Sequence, residues 1–422
     1  MTLLFVNARQ VVTCAGPARA RRGREMADAG VLTGAAVLVE GERIGAVGDA
    51  RALAKAHPRA TEIDCSGCVL TPGLVDSHTH AVFGRPRYDE HELRAAGLSY
   101  MEIARRGGGI HASVRDLRAR AEAELYDLSA ARVRRLAAFG TTTVEIKSGY
   151  GLSSESELKS LRVIGRLAAD LPLRIVPTWL GAHEIPLDYR ERDAGRAEYL
   201  ELLAGGMLRE VADSGLARFA DIFCEPGVFT VAESRAVLGA AKSAGLGVKL
   251  HADELEYSGG AELAAELGAA SADHLGAISE SGIEALAKSG TVATLLPGTM
   301  LFLGRSKQAP ARALIDAGAA VALATDFNPG SSPTVNFPLV LTLGISQLRM
   351  SAAEVLIAAT VNGAAALGLA AETGQLAEGF AADLALFEGE DFRELPYWYG
   401  DRRCRGSWRR GVTCHPYEPG LG

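Results

Sequence analysis

Between Leu74 and Gly368 the spacing of apolar positions switches repeatedly between two periods. Short β-rich runs alternate with longer stretches in which apolar residues recur every three or four positions, the pattern of successive strand–helix units. The strand-like runs are "LVDSHTH" (74–80), "TTTVEIKSG" (141–149), "RIVPTWLGAH" (174–183), "FADIFCE" (219–225), "VKLHADE" (248–254), "SADHL" (271–275), "VATLLPG" (292–298) and "VALATDFN" (321–328). Helical patterns such as "ESELKSLRVIGRLAAD", "VAESRAVLGAAKSAG" and "ESGIEALAKSG" fill several gaps and stop near Gly or Asp, as helices commonly do. Eight such strands with intervening helices predict an α/β fold of the (β/α)8 TIM-barrel type, which uses about 250 residues.

The flanks follow a different rhythm. Residues 1–70 hold short alternating strands ("LLFVNARQVVT", "AAVLVEGERIGAVG", "TEIDCSGCVLTPG") separated by Gly-rich turns, without helical periodicity. The tail "TGQLAEGFAADLALFEG" from Thr373 repeats that style. A lone hairpin would leave one apolar face in water, so the two flanks are expected to meet in a small composite β-sandwich. This divides the chain into a sandwich of residues 1–70 and 369–422 around a barrel of residues 71–368. The segment "ARARRGRE" (18–25) reads as an exposed basic loop.

The charge balance is 44 basic against 51 acidic residues, and no basic cluster comes with interleaved aromatics, so no nucleic-acid partner is expected. The start "MTLLFVNARQ" lacks the pattern of a signal peptide and no run of about 18 apolar residues occurs, which predicts a cytoplasmic protein with no membrane span. Cys14, Cys65, Cys68, Cys224, Cys404 and Cys414 are too sparse for a disulfide scaffold. Cys65 and Cys68 have the spacing of a zinc or redox pair. Without a second pair at matching spacing they read as ordinary thiols.

In a barrel of this type the chemistry sits at the carboxyl ends of the strands. Of nine histidines, five (His78, His80, His183, His251 and His274) fall at predicted strand ends, and Glu254 and Asp326 close two of the same strands. His78 and His80, two apart in an extended segment, can offer both imidazoles to one point. Three neutral imidazoles and a carboxylate suit Zn or Fe, so His78, His80, His251 and Asp326 are the expected ligands of one metal ion. A bound ion would lower the pKa of water toward neutrality and polarise a carbonyl, which makes hydrolysis the natural reaction. Glu254 and His274, with Asp326, remain as groups able to move its protons.

"DSHTH", "KLHADE", "SADHL" and "ALATDFNPGSSPT" together resemble the amidohydrolase superfamily, and the likeness extends over nearly the whole chain. It implies a metal-bearing barrel joined to a composite sandwich, a homodimer, and hydrolysis of a C–N bond in a small polar ring carrying a flexible carboxylate. On that substrate Arg87, seven residues beyond His80, could take the carboxylate bidentately. The resemblance also assigns substrate contacts to Tyr150, His183, Glu254, Asn328, Gly330 and Ser331, with Tyr100 a further candidate for the carboxylate end. Ser331 stands where many relatives carry threonine, which keeps the hydroxyl.

In binuclear members of the superfamily a strand-end lysine is carbamylated and bridges two metals. Here the resemblance implies a mononuclear centre, with Lys147 a structural or rim residue. "RRGGGIH" (105–111) lacks the Gly-Lys-Ser/Thr of a phosphate cradle and is expected to be a flexible loop bordering the substrate. Two rivals stay open. A deaminase of a cyclic amidine or purine would use the same ligands but give Arg87 no anion to hold, and a catalytically silent barrel would have no need of the complete ligand set.

Overall fold

The computed structural model describes residues 1–98, 102–103 and 106–417. All eight expected barrel strands form. In chain order they follow seven strands of the N-terminal flank: β1 Thr2–Val6, β2 Gln10–Val12, β3 Val31–Leu32, β4 Ala35–Glu40, β5 Arg43–Asp49, β6 Thr61–Asp64 and β7 Cys68–Pro72. The barrel strands are β8 Leu74–Asp76, β9 Thr141–Lys147, β10 Arg174–Ala182, β11 Phe219–Cys224, β12 Gly247–Ala252, β13 Ser271–His274, β14 Val292–Leu295 and β15 Val321–Leu323. Each pairs in parallel with the next along the chain, from β8 to β15.

The first and last barrel strands meet through the residues just beyond their ends. Thr79 bridges Phe327 in parallel, Asp326 N–H donates to His78 C=O at 3.0 Å, and His80 N–H donates to Phe327 C=O at 2.8 Å. The Asp76 carboxylate accepts from Thr325 N–H (3.0 Å) and Thr325 Oγ1 (2.7 Å) across the same seam. The seam that closes the barrel is therefore built from the segments that carry His78, His80 and Asp326.

Several strands end sooner than their apolar runs suggest. "LVDSHTH" is ladder only through Asp76 and "VALATDFN" only through Leu323. Asp326, at φ 52°, has turned out of the extended region, so its side chain aims across the barrel mouth instead of along a ladder. "VATLLPG" stops at Leu295 because Pro297, with its fixed φ, opens the helix Pro297–Phe302.

The flanks form two sheets. One has the order β5-β4-β1-β6; the other has six strands and mixes the two ends of the chain, through β16 Leu384–Glu388, β17 Cys404–Arg409 and β18 Val412–His415. β7 pairs antiparallel with β16 from Pro72↔Leu384 to Cys68↔Glu388. Between the sheets lie Phe5, Val37, Leu70, Leu384, Leu386 and Trp408, with the rings of Phe5 and Trp408 edge-on at 4.9 Å.

Two expectations for the flank are corrected. A helix, Ala50–Ala56, interrupts the strands, capped by the Asp49 carboxylate accepting from Ala52 N–H at 2.8 Å. It is two turns long and packs Ala50, Leu53 and Ala54 against the cluster of Leu4, Val6, Ala36 and Leu38, too brief for its period to stand out. "ARARRGRE" is an exposed loop only in part: Arg19, Arg24 and Glu25 are exposed, but the segment is anchored at its middle. Arg21 is 4% exposed and its backbone N–H donates to Asn362 Oδ1 at 2.7 Å, while Met26 is fully buried in a short 3-10 helix. The Arg22 guanidinium donates to Gly318 C=O and Ala287 C=O, carbonyls at the ends of two barrel helices that a cation favours. The buried residues are held by donors that composition alone would send to water.

Truncating the sandwich core at Phe5→Ala is expected to cost about 3–5 kcal/mol. Calorimetry should show a lowered transition, while bound metal per chain stays unchanged because Phe5 packs in the cluster between the flank sheets.

Candidate metal centre

Four side chains from three places in the chain bring one ligand atom each to a common point. His80 Nε2 lies 3.3 Å from His78 Nε2 and 3.4 Å from His251 Nε2. Asp326 Oδ1 lies 3.5 Å from both His78 Nε2 and His80 Nε2. All four residues are buried.

What holds the rings fixes their tautomers. His78 Nδ1 is 2.6 Å from Asp273 Oδ2, and His251 Nδ1 is 3.1 Å from Asp221 Oδ2. Each carboxylate takes the Nδ1–H, which leaves the Nε2 lone pairs of the two rings pointing into the same small space. Burial, reinforced by neighbouring positive charge, holds His78 and His80 well below the usual imidazole range, so the rings are neutral, as ligation requires. Lone pairs converging without protons are the arrangement a cation stabilises. An ion about 2.0–2.2 Å from tetrahedral donors sets those donors roughly 3.3–3.6 Å apart, the spacing found. The residues present fit a single metal ion.

Around this point stand the groups suited to proton transfer. His274 Nε2 lies 3.7 Å from Glu254 Oε2, and both nitrogens of the His274 ring are buried with no hydrogen-bond partner among the described residues. Burial pushes Glu254 well above the carboxylate range, and Asp326 and Glu225 push the same way. Burial raises Asp326 to about 6 although Thr299 Oγ1 donates to its Oδ2 at 2.6 Å. His183 stacks on His80 at 5.2 Å and is lowered to about 3 by burial, its Nδ1 donating to Gly149 C=O at 2.9 Å. The Tyr150 ring is 5.4 Å from His183 and 6.0 Å from His80.

On the facing loops, Arg87 is 9% exposed and its guanidinium lies against the backbone of Gly330. A Cβ on Gly330 would sit 1.4 Å from Arg87 Nη2, so only glycine leaves that seat open. Asn328 organises the turn: its Oδ1 accepts from Gly330 N–H and Ser331 N–H, both at 2.8 Å, and its Nδ2 donates to Ser331 Oγ at 2.9 Å. Tyr100 lies outside the described residues.

The strands that carry the ligands also carry a buried ionic cluster, which the sequence reading did not single out. Lys147 Nζ is 2.8 Å from Glu145 Oε2 and 2.7 Å from Asp221 Oδ2, and Lys249 Nζ is 3.0 Å from Glu145 Oε2. Burial works against the Lys147 ammonium, but Asp221, Glu145 and Asp273 more than offset it and its pKa is raised. Lys147 is thus an interior residue and not a rim one. The signal was present as charged residues two apart in apolar strands, Glu145 with Lys147 and Lys249 with His251, which period two turns to one face. Of the described part of the glycine run, residues 106–109 form turns and the rest is helical. Ile110 and His111 begin the helix Ile110–Ala119, and Gly109 N–H donates to Glu90 Oε1 at 2.8 Å.

The sequence profile of the amidohydrolase family matches residues 90–415, and that of an imidazolonepropionase-like composite domain of bacteria matches residues 35–60. The imidazolonepropionase of Symbiobacterium thermophilum is 48% identical over 94% of this chain and 93% of its own length. That of Geobacillus kaustophilus is 47% identical over 95% of each. The chain belongs to the amidohydrolase family, among the imidazolonepropionases.

Solved structures agree in fold. An adenosine deaminase from Xanthomonas campestris with bound zinc superposes with a TM-score of 0.71 at 21% identity, over 97% of this chain and 92% of that one. The A. niger ochratoxinase gives 0.71 at 18% identity over 100% and 96%. At those identities the likeness speaks for the amidohydrolase barrel and sandwich alone.

Asp273→Asn and Asp221→Asn remove the acceptors that orient His78 and His251. Each is expected to weaken ion binding by about 10–100-fold in chelator competition with the far-UV circular dichroism unchanged.

Proposed function

We propose that this protein uses water to open the ring of 4-imidazolone-5-propanoate, yielding N-formimino-L-glutamate in histidine degradation. The observation that carries this reading is a convergent His3Asp donor set together with a buried arginine, Arg87, whose Nε is ion-paired with Glu90 at 3.6 Å and whose guanidinium has donors to spare. The likeness to imidazolonepropionases, over almost the full length of both chains, supports the same reaction.

His78, His80, His251 and Asp326 would hold one ion, and their chemistry suits zinc and iron alike, with availability deciding. When bound, such an ion supplies Lewis acidity that favours ionised water and a polarised carbonyl at neutral pH. The remaining steps fall to side chains. Arg87 takes the propionate with two parallel N–H bonds, which a lysine could not reproduce. Tyr150 and His183 line the ring's side of the pocket, and the Asn328–Ser331 turn borders it opposite.

Water adds to the lactam carbonyl carbon. Asp326 and His274 accept its proton and pass it to the ring nitrogen as the C–N bond breaks. Burial pushes the Glu254 carboxyl well above the carboxylate range, which favours its donating a hydrogen bond to the ring. A neutral amidine or aminopurine, the deaminase alternative, would leave the buried Arg87 guanidinium with Glu90, 3.6 Å away at Nε, as its only charged partner among the described residues and would make no use of its remaining donors, which favours the anionic substrate.

Freshly prepared imidazolonepropionate should lose its absorbance in the presence of ion-replete protein and not in the presence of chelated protein; persistence with the replete protein would rule the reaction out. His251→Ala should lose both bound ion and turnover. Arg87→Ala is expected to raise KM by about 10–100-fold, the worth of a charge-assisted pair, with kcat changed far less. Gly330→Ala should reproduce much of that KM effect by displacing the guanidinium.

A further inference from the structure

Beneath the His3Asp shell, the ligand atoms of His78, Glu145 and Asp273 lie within 4.8 Å of one another, a donor set that could by itself hold a cation. Two ammonium groups already fill it. Lys147 Nζ sits 2.8 Å from Glu145 Oε2, 2.7 Å from Asp221 Oδ2 and 3.7 Å from Asp273 Oδ2. Lys249 Nζ sits 3.0 Å from Glu145 Oε2, 3.8 Å from Asp273 Oδ2 and 2.8 Å from Ser77 C=O, the residue before His78. All six side chains have no exposed surface.

We propose that Lys147 and Lys249 stand in for a second metal ion: they fill the carboxylate cluster below the centre, restrict it to one ion, and hold Asp221 and Asp273 where those carboxylates fix His251 and His78. The idea rests on the reading of His78, His80, His251 and Asp326 as ion ligands.

Charge bookkeeping supports it. Glu145, Asp221, Asp273 and Asp326, when ionised, carry four negative charges and the two lysines return two, so one divalent ion brings the buried assembly to neutrality. A second ion would leave two positive charges without partners in a medium that solvates them poorly. Geometry points the same way, since an ammonium ion-paired with two carboxylates at 2.7–2.8 Å occupies the space that a metal bridging them would need. Both lysines reach the imidazoles only through Asp221, Asp273 and the Ser77 backbone, so they are positioning residues and not ligands.

If so, removing one ammonium opens room and negative charge for a second cation. The full-length protein, stripped with chelator, would be titrated with Co2+ and Zn2+ as wild type, Lys147→Met and Lys249→Met. Ion per chain would be read by elemental analysis after desalting, and coordination by the visible cobalt spectrum. Wild type is expected to saturate at one equivalent even in excess ion, and the methionine variants to approach two, with a changed cobalt spectrum. Folded variants that stop at one equivalent with the wild-type spectrum would overturn the proposal. Should either variant fail to fold, the wild-type titration still decides, because a second equivalent bound by wild type contradicts it. Wild type that binds no ion at all would instead sink the ligand assignment on which the idea depends.

Discussion

His78 Nε2 and His80 Nε2 lie 3.3 Å apart, so that when neither carries a proton they repel one another unless positive charge lies between them, and much of this barrel serves to keep them there. Asp273 and Asp221 hold the protons on the far side of two rings, so the lone pairs cannot turn away. Two lysines balance those carboxylates in an interior where an unpaired charge would be untenable. The closing seam of the barrel pins the third ring and the carboxylate by backbone hydrogen bonds at 2.8 and 3.0 Å.

Strain gathers at the same place. Asp326, His274 and Asp253 have φ of 52°, 79° and 50°, a left-handed conformation that side chains with a Cβ adopt only when their surroundings demand it. Asp326 is secured by Thr299, and Asp253 accepts from Ser258 N–H, Ser258 Oγ and Gly259 N–H at 2.7, 2.9 and 3.0 Å. Rim loops are likewise tied down by buried carboxylates. Glu157 accepts from the N–H groups of Gly149, Gly151 and Leu152, and Glu225 from those of Glu254, Leu255 and Glu256. The loops that bear Tyr150 and Glu254 are therefore fixed by single side chains lying on neighbouring elements, an arrangement that holds a reacting group in place without adding bulk to the pocket.

Much of this was legible in the linear pattern. Apolar periods placed all eight barrel strands, because a strand buried on both faces must be apolar along its length. The five strand-end histidines were visible as a group for the same reason: polar residues closing apolar strands have few places to go but the barrel mouth. The Ala50–Ala56 helix escaped because two turns give too short a sample of period, and "ARARRGRE" misled because composition cannot see that helix-end carbonyls await a guanidinium. Lys147 and Lys249 were in view as charged residues in apolar strands, but their partners lie on other strands, so nothing local announced a cluster.

The sequence by itself determined which segments become strands and helices, which residues can ligate a cation, and that the flanks need one another to bury their apolar faces. Tertiary structure alone decided that segments 76–80 and 325–327 meet, that Gly330 makes room for Arg87, and that two ammonium groups rest under the histidines. The division has a physical cause. Period and polarity act over a few residues and are written locally, whereas the distance between donor atoms depends on how far each strand runs before it turns, which is set by neighbours hundreds of residues away.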